Sequence, residues 1–387
     1  MRIVIASRIY SPEPAAASYM LETLARRFRD AGHDVTVLTT IPPRGMGMQD
    51  ISGVTVKRAR VLRDSSGYVR GYLQYMSFDF PLFFRLLFGK RADLYFVEPP
   101  PTTGAVVRIA LTVLRRPYFY DAADLWSDAA TMATSSRLVL LLLRGVEIFA
   151  LRGASHLFTI SSGVADRIRE LGVNTPTTVT GFGVDTEVFT YRAPTGAVEP
   201  PCFVYAGTYS EWHGADIFVE AFIRFSMTHP GFRLIFVGNG SDRPMLERMR
   251  DNAGLDTIEF WDPIDGPSLN TLLAVATASV ASLKPGQGYD YAFTTKVYSS
   301  IAAGCPVVFT GVGPTVEFLE RANAEHSAGV AVPYEVDAVV EALAAAADDP
   351  VSSSRRRELS EWSRAVFSLA SVADSIVRDS VAAAAKR

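Results

Sequence analysis

Short apolar runs alternate with amphipathic stretches along nearly the whole chain, pause once, and then restart. Arg2–Ala6 (RIVIA) reads as a buried strand, followed by the loop SRIYSPEPAAAS. From Ser18 to Ala31, Met20, Leu21, Leu24, Phe28 and Ala31 fall at helical spacing, Gly32 supplies a stop, and DVTVLT (34–39) is the next strand. Further strands are expected at 54–60, 94–97, 117–121 and 156–160. This rhythm predicts an α/β fold: a parallel sheet with helices on both faces. The pause is TYRAPTGAVEPP (190–201), rich in proline and poor in apolar residues. The rhythm resumes with strands at 202–207, 233–238, 257–261, 278–283 and 306–310, and helices near 214–228, 241–253, 267–276 and 295–303. Two Rossmann-like domains are therefore expected, at 1–192 and 201–370, joined by a linker at 193–200 and followed by a helical tail at 371–387. In such sheets ligands bind at the carboxyl ends of the strands, and two domains facing across a cleft would grip a ligand between them.

Composition narrows the function. The chain has 387 residues, 48% of them hydrophobic and 20% charged, which excludes a largely disordered protein. A net charge of -3 excludes a global basic field for nucleic acid. Two cysteines, Cys202 and Cys305, lie in apolar runs and are expected as reduced core residues rather than a disulfide framework. The N-terminus lacks the layout of a signal peptide, and the apolar LVLLLL (138–143) is closed off by Arg137 and Arg144, too short to span a bilayer. A cytoplasmic protein is expected.

Several loops are placed where chemistry occurs. The loop Ser7–Ser18 lies between a strand and a helix, where an anion docks, but lacks the GxGxxG pattern of a dinucleotide site. Ala15, Ala16 and Ala17 would admit a ligand near the helix start; they are equally good helix formers. AGTYSEWHG (206–214) has the layout of a phosphate cradle, with His213 near the next helix as an anion donor or a structural imidazole. Gly238-Asn239-Gly240 permits close backbone approach to a ligand, or simply makes a tight turn. In FTTKVYSSIAAGCPVVFTG, Thr294 or Thr295 can cap a helix stopped by Gly304. Lys296 then falls in the first turn, against the helix dipole, which suggests an anionic partner or a lysine reaching into solvent. YFYDAADLWSD (118–128) sets Asp121, Asp124 and Trp126 after a strand; Asp124 is either an acceptor-side carboxylate or a helix cap. No metal-ligand spacing and no Ser/His/Asp triad is evident.

The segment 68–91 is aromatic, apolar and basic, with Phe78, Phe80, Phe83, Phe84 and Phe88 among Arg70, Arg85, Lys90 and Arg91. It fits a core helix, and it also fits contact with an anionic membrane surface or a lipid acceptor.

In their order and spacing, SRIYSPEPAAASYMLETLARRFRDAGHDVTVLTT, YDAADLWSD, FTISSGVADRIRELGV, GFGVDTEVF, FVYAGTYSEWHGADIFVEAF, LIFVGNGSDRPMLE and TTKVYSSIAAGCPVVFTG resemble the family-4 retaining glycosyltransferases with the GT-B fold. The branch that builds bacterial cell-surface polysaccharides and glycolipids is the most similar. The resemblance implies a nucleotide-diphosphate sugar, UDP- or GDP-linked, held mainly by the second domain. Gly207, Thr208, His213, Gly238 and Asn239 would surround the nucleotide, with Ile264 meeting the base by its backbone. Thr294, Thr295, Lys296 and Ser299 would approach the diphosphate. A glycan or lipid-linked acceptor would bind the first domain near Glu13, Ala16, Ala17, Asp124 and Trp126, with Asp124 and Lys296 as the catalytic pair. Anomeric configuration would be retained, with the leaving diphosphate helping to deprotonate the acceptor, and no metal required.

The chain departs from the family pattern at the donor site. Members commonly carry an arginine after the strand-ending glycine and a lysine five residues on; here these are Thr208 and His213. Two glutamates eight residues apart are replaced by Tyr291 and Ser299. Lys296 remains, and a protonated His213, Arg8 or Arg243 would be needed to add positive charge. Three readings follow: an active glycosyltransferase with altered donor contacts, a weakly or non-catalytic sugar-nucleotide-binding subunit supporting a partner enzyme, and a nucleotide-sugar epimerase. The last lacks a visible carboxylate and histidine set for proton abstraction.

Overall fold

The computed structural model describes all residues except 14, 44–49, 65–68, 70, 135, 194–199 and 386–387. Most of the expected linker and Arg70 therefore lie outside the described residues. The chain forms two compact units, Met1–Phe182 with Leu369–Arg387, and Gly183–Ser368. The division falls ahead of the proline-rich segment, and the C-terminal helix returns to the first unit.

The first unit runs β1 (Arg2–Ala6), α1 (Ala16–Asp30), β2 (Asp34–Thr40), β3 (Val54–Ala59), α2 (Tyr72–Phe88), β4 (Leu94–Val97), α3 (Pro101–Leu114), β5 (Tyr118–Asp121), α4 (Trp126–Ala133), α5 (Arg137–Gly153), β6 (His156–Thr159), α6 (Ser162–Glu170) and β7 (Thr177–Val179). Its sheet has the order β3-β2-β1-β4-β5-β6-β7, and every pairing is parallel. Because side chains alternate along a strand, the register sorts two faces. Ile3, Ile5, Val35, Val37, Leu94 and Phe96 point to one face, where they share a core with α1 and with Val372, Ala373 and Ile376 of the C-terminal segment. Val4, Thr36, Tyr95 and Tyr118 are register partners on the other face. There α2 packs on α3 and α3 on α5.

The second unit contains β8 (Cys202–Ala206), α7 (Asp216–Phe225), β9 (Arg233–Val237), α8 (Arg243–Ala253), β10 (Ile258–Trp261), α9 (Gly266–Val275), β11 (Ala278–Leu283), α10 (Lys296–Ala302), β12 (Val307–Gly311), α11 (Pro314–His326), β13 (Gly329–Val332), α12 (Val336–Asp348) and α13 (Ser353–Phe367). A last helix, α14 (Leu369–Ala385), belongs to the first unit. The second sheet is also parallel, in the order β10-β9-β8-β11-β12-β13. Its central strands β9, β8, β11 and β12 are buried on both faces: one meets Phe218, Phe222 and Leu343, the other Leu273, Ala276 and Ala303. Cys202 and Cys305 are free and buried in that second layer, as their apolar context predicts.

Both sheets reverse their strand order once, between β1 and β4 and between β8 and β11. At the second reversal, pairing covers only Ala278↔Phe203 and Ser279↔Val204. Tyr205 and Ala206 run on without a partner in β11, so the carboxyl ends separate there. An open α/β sheet forms its crevice at such a point. Among the described residues no helix is long and apolar enough to cross a membrane.

Candidate functional site

At the carboxyl end of β8, Gly207 has φ 123°, and at the end of β9, Gly238 has φ 138°. Both lie in the region that L side chains rarely adopt. A Cβ on Gly238 would strike the Gly207 carbonyl oxygen, so the two turns approach each other as only glycine allows. The Gly207 N–H donates to the Val237 carbonyl at 2.9 Å, and the Tyr209 hydroxyl donates to the Gly238 carbonyl at 2.7 Å. These bonds fix the turns that sequence reasoning placed around a nucleotide.

Lys296 is the first residue of α10 and reaches back over this end of β8. Its Nζ donates to the Tyr205 hydroxyl at 2.7 Å and to the Thr208 carbonyl at 3.3 Å. The same ammonium sits 4.0 Å from the centre of the Tyr205 ring. A Cβ on Gly207 would lie 3.6 Å from Lys296 Cε. Among the described residues no carboxylate pairs with Lys296, and burial lowers its pKa to about 7. An ammonium held half-buried by a hydroxyl, a carbonyl and a ring face is poised for an anion.

The neighbouring histidine differs from the expectation of a substitute cation. His213 is buried, its Nδ1 lies 2.9 Å from Ser210 Oγ, and its ring stacks on Trp212 at 3.6 Å. Burial, and then the charge of Lys296, push its pKa down to about 3. Burial alone disfavours the charged imidazole, and the Lys296 ammonium beside it adds repulsion, so the ring is neutral. Arg243 is likewise engaged: it bonds Glu247 at 2.9 Å and Asp262 at 2.7 Å. Thr208 contributes its carbonyl to Lys296.

The remaining expected donor residues occupy mixed positions. The Asn239 side chain accepts from its neighbour, the Gly240 N–H, at 2.8 Å. Ile264 packs partly buried against the β8–β9 core, just before Asp265, whose carboxylate caps α9 by accepting from Ser268 N–H at 2.8 Å. Thr294 is buried, and its N–H donates to Thr315 Oγ1 at 2.9 Å. Thr295 is the N-cap of α10 but makes no side-chain cap, contrary to the expectation for a threonine there. The Ser299 hydroxyl donates to the Lys296 carbonyl at 2.9 Å within the helix. Two aromatic residues not expected at the site, Trp212 and Tyr289, lie 5.5 Å apart beside His213.

The first unit gathers a different set at its strand ends. Ser7 follows β1 and donates from Oγ to Glu98, just after β4, at 2.8 Å. Burial pushes the Glu98 carboxyl up to about 7 against the pull of Arg8 and Ser7. Asp121, the last residue of β5, also rises to about 7, chiefly by burial and then by the charges of Glu98 and Asp124. Asp124 is exposed in the following loop, although the surrounding protein raises its carboxyl. It does not cap α4. That role belongs to Glu147 of α5, which accepts from the Trp126 and Ser127 N–H groups at 2.7 and 3.1 Å. Trp126 meets Tyr75 edge-on at 5.9 Å, and the Arg8 guanidinium lies over both rings. Arg8 is thus held within the first unit.

Glu13 departs from its expected place among acceptor contacts. It is buried, and Arg63 bonds it at 2.8 Å, so its carboxylate is taken up internally. Ala17 lies in the first turn of α1, and the side chain of Ala16 is outside the described residues. Glu98 carries only a faint signal in the sequence, a lone acid directly after the apolar strand LYFV. No group of three or more His, Cys, Asp or Glu among the described residues has metal-binding geometry.

Residues 16–183 match the family model described as a glycosyl transferase 4-like domain, and residues 200–349 match the model for glycosyl transferases group 1. A curated relative, glycogen synthase from Mycobacterium tuberculosis, is 26% identical over 219 residues, 55% of this chain and 50% of the relative. The chain thus spans about half the length of the curated relatives it matches. Sucrose-phosphate synthase from Thermosynechococcus elongatus has a similar structure, with TM-score 0.75 and 18% identity over the full length of both chains. HepE from Anabaena, solved with UDP, gives TM-score 0.70 and 17% identity over 99% of this chain and 100% of its own.

Proposed function

Since the chain belongs to the family-4, group 1 glycosyltransferases and has the GT-B fold, we propose that it transfers a sugar from a nucleotide-diphosphate donor, with UDP or GDP as the nucleotide. The observation that carries this reading is Lys296, an ammonium with no carboxylate partner among the described residues, set over Gly207 at the strand reversal of the second sheet. A diphosphate is the dianionic group that such a position would take. The UDP bound to HepE supports the choice of nucleotide class.

The strand-end glycines, Thr208, Asn239 and the Ile264 backbone would line the nucleotide, and Lys296 would neutralise the leaving diphosphate. This is the charge that develops as the glycosidic bond breaks, so its stabilisation lowers the barrier. We place that role on Lys296 and backbone N–H groups, without a metal. The acceptor, a cell-envelope glycan or glycolipid, would use the first unit near Asp124, Trp126 and Ala17. Asp124 would orient its hydroxyl, the departing diphosphate would take the proton, and configuration would be retained. Contact with the inner face of the cell membrane through the 68–91 segment would bring a lipid-linked acceptor within reach.

A second reading is favoured by one specific finding. His213 is neutral and Arg243 is bound to two carboxylates, so Lys296 is left to face the diphosphate without them. That suits a weak or non-catalytic sugar-nucleotide-binding subunit. Turnover separates the two. Purified protein given UDP- or GDP-sugars and a membrane-derived acceptor extract should release nucleoside diphosphate only when the acceptor is present. Donor binding without acceptor-dependent release would select the binding subunit.

A further inference from the structure

Helix α2 has two unlike sides. Phe78, Leu82 and Leu86 are buried in the unit. Phe80, Phe84 and Phe88, spaced one turn apart on the opposite side, are 63%, 42% and 82% exposed. Phe84 stacks on Phe88 and meets Phe80 edge-on, so the stripe is continuous. The pattern extends across the layer. On α3, Ile109 and Val113 are exposed, and on α5 Leu138, Leu141 and Leu142 are each more than 60% exposed. Soluble proteins scatter such residues singly; a layer of three adjoining helices that shows them together marks a docking surface.

Charge decides the occupant. The three helices contain two acids, Asp79 and Glu147, and both are buried. Asp79 accepts from the Thr103 hydroxyl at 2.5 Å, and Glu147 caps α4. Around the layer stand Lys90 and Arg91 after α2, Arg115 and Arg116 after α3, and Arg137 at the start of α5. None of these five has an ion-pair partner among the described residues. The acid nearest in sequence, Asp93, accepts from the Arg2 N–H. The chain as a whole carries a net charge of -3, so this face is cationic against the trend of the molecule. Phe84 and Phe88 also line a cavity of about 440 Å³ between α2 and the sheet, where the charged lining residues are Lys57, Arg85 and Lys90.

We propose that the outer side of the α2–α3–α5 layer docks on an anionic bilayer surface. The Phe80–Phe84–Phe88 stripe and the leucines of α5 enter the headgroup–acyl boundary, and the flanking lysine and arginines meet lipid phosphates. Apolar insertion and cation–phosphate attraction reinforce each other in this arrangement. The proposal deepens the acceptor side of the transferase reading and rests on it for its purpose. Nucleotide binding by the second unit is measured separately, so the two readings fail separately.

The full chain is sedimented with vesicles of phosphatidylcholine alone and with added phosphatidylglycerol, at low and high salt. Binding should be at least about tenfold stronger to the anionic vesicles and weaken with salt. The Phe80→Ser/Phe84→Ser/Phe88→Ser variant and the Lys90→Glu/Arg91→Glu variant should each lose about tenfold or more, with an unchanged thermal midpoint and unchanged nucleotide response. If the phenylalanine variant does not fold, the charge variant decides. No preference for anionic vesicles, or full binding by the folded variants, overturns the proposal. So does concentration-dependent self-association that the phenylalanine variant abolishes, because the face would then belong to a second copy of the chain.

Discussion

Lys296 Nζ lies 2.7 Å from the Tyr205 hydroxyl and 4.0 Å from the centre of the same ring, so one tyrosine supplies both a hydrogen-bond acceptor and a π-face. Among the described residues, no counter-charge is fixed to this ammonium at the strand ends. A structural lysine at a helix start would lean into solvent or toward an acid; this one turns inward over Gly207.

Lys296→Met should weaken donor or nucleoside-diphosphate binding by about tenfold to a hundredfold, the effect of one charge-assisted bond of ~1.5–3 kcal/mol. Calorimetry on the two proteins measures it. The pH response carries a sign. Burial lowers the Lys296 pKa to about 7, so the cationic form is lost as pH rises through that value, and diphosphate affinity should fall on the alkaline side. The Met variant should lack this dependence.

Gly238→Ala should destabilise the second unit by about 1–3 kcal/mol or more, from the left-handed φ and from the clash with the Gly207 carbonyl. Denaturant unfolding gives the value. An alanine that costs nothing would show that the two turns do not meet as described.

Glu98 sets a pH dependence for the first unit. Its folded pKa, about 7, lies above the ordinary value of 4.5. The folded chain therefore holds more protons than the unfolded chain between these values, and stability falls as pH rises through that window. The loss from pH 4 to pH 8 should be on the order of 3 kcal/mol. Glu98→Gln, which keeps an acceptor for Ser7, should make the profile shallower and leave the share of Asp121, whose carboxyl also rises to about 7. Urea midpoints across the range read this out.

Asp124→Asn should reduce turnover more than donor affinity if Asp124 orients the acceptor. Its exposure, and the fact that Glu147 caps α4 in its stead, leave little structural cost, so folding should be unchanged. Equal losses in turnover and donor binding would remove Asp124 from the acceptor site.

Much of the architecture was legible because strand and helix periods differ. RIVIA, LYFV and ASVASL match β1, β4 and β11, since parallel strands buried on both faces need continuous apolar runs. The boundary between units was not legible. Proline content marks an exposed segment, whereas the units divide at Phe182, where contacts are few, and α14 packs back on α1. At the site, the glycines and Lys296 could be read from their place after strands and at a helix start. The engagement of Glu13 by Arg63, and of Arg243 by Asp262, could not. Residues 50 and 19 positions apart meet only through the fold. The neutral state of His213 also depends on burial beside Lys296, which no local pattern encodes.

The most direct test of the central claim is a calorimetric titration of the wild-type chain and Lys296→Met with UDP- and GDP-sugars near pH 6.5. The wild-type protein should bind one nucleotide class, and the variant should bind it at least about tenfold more weakly, with both proteins equally folded. Equal affinity in the two would contradict the claim, because the diphosphate would then lie elsewhere than over Gly207 and Lys296.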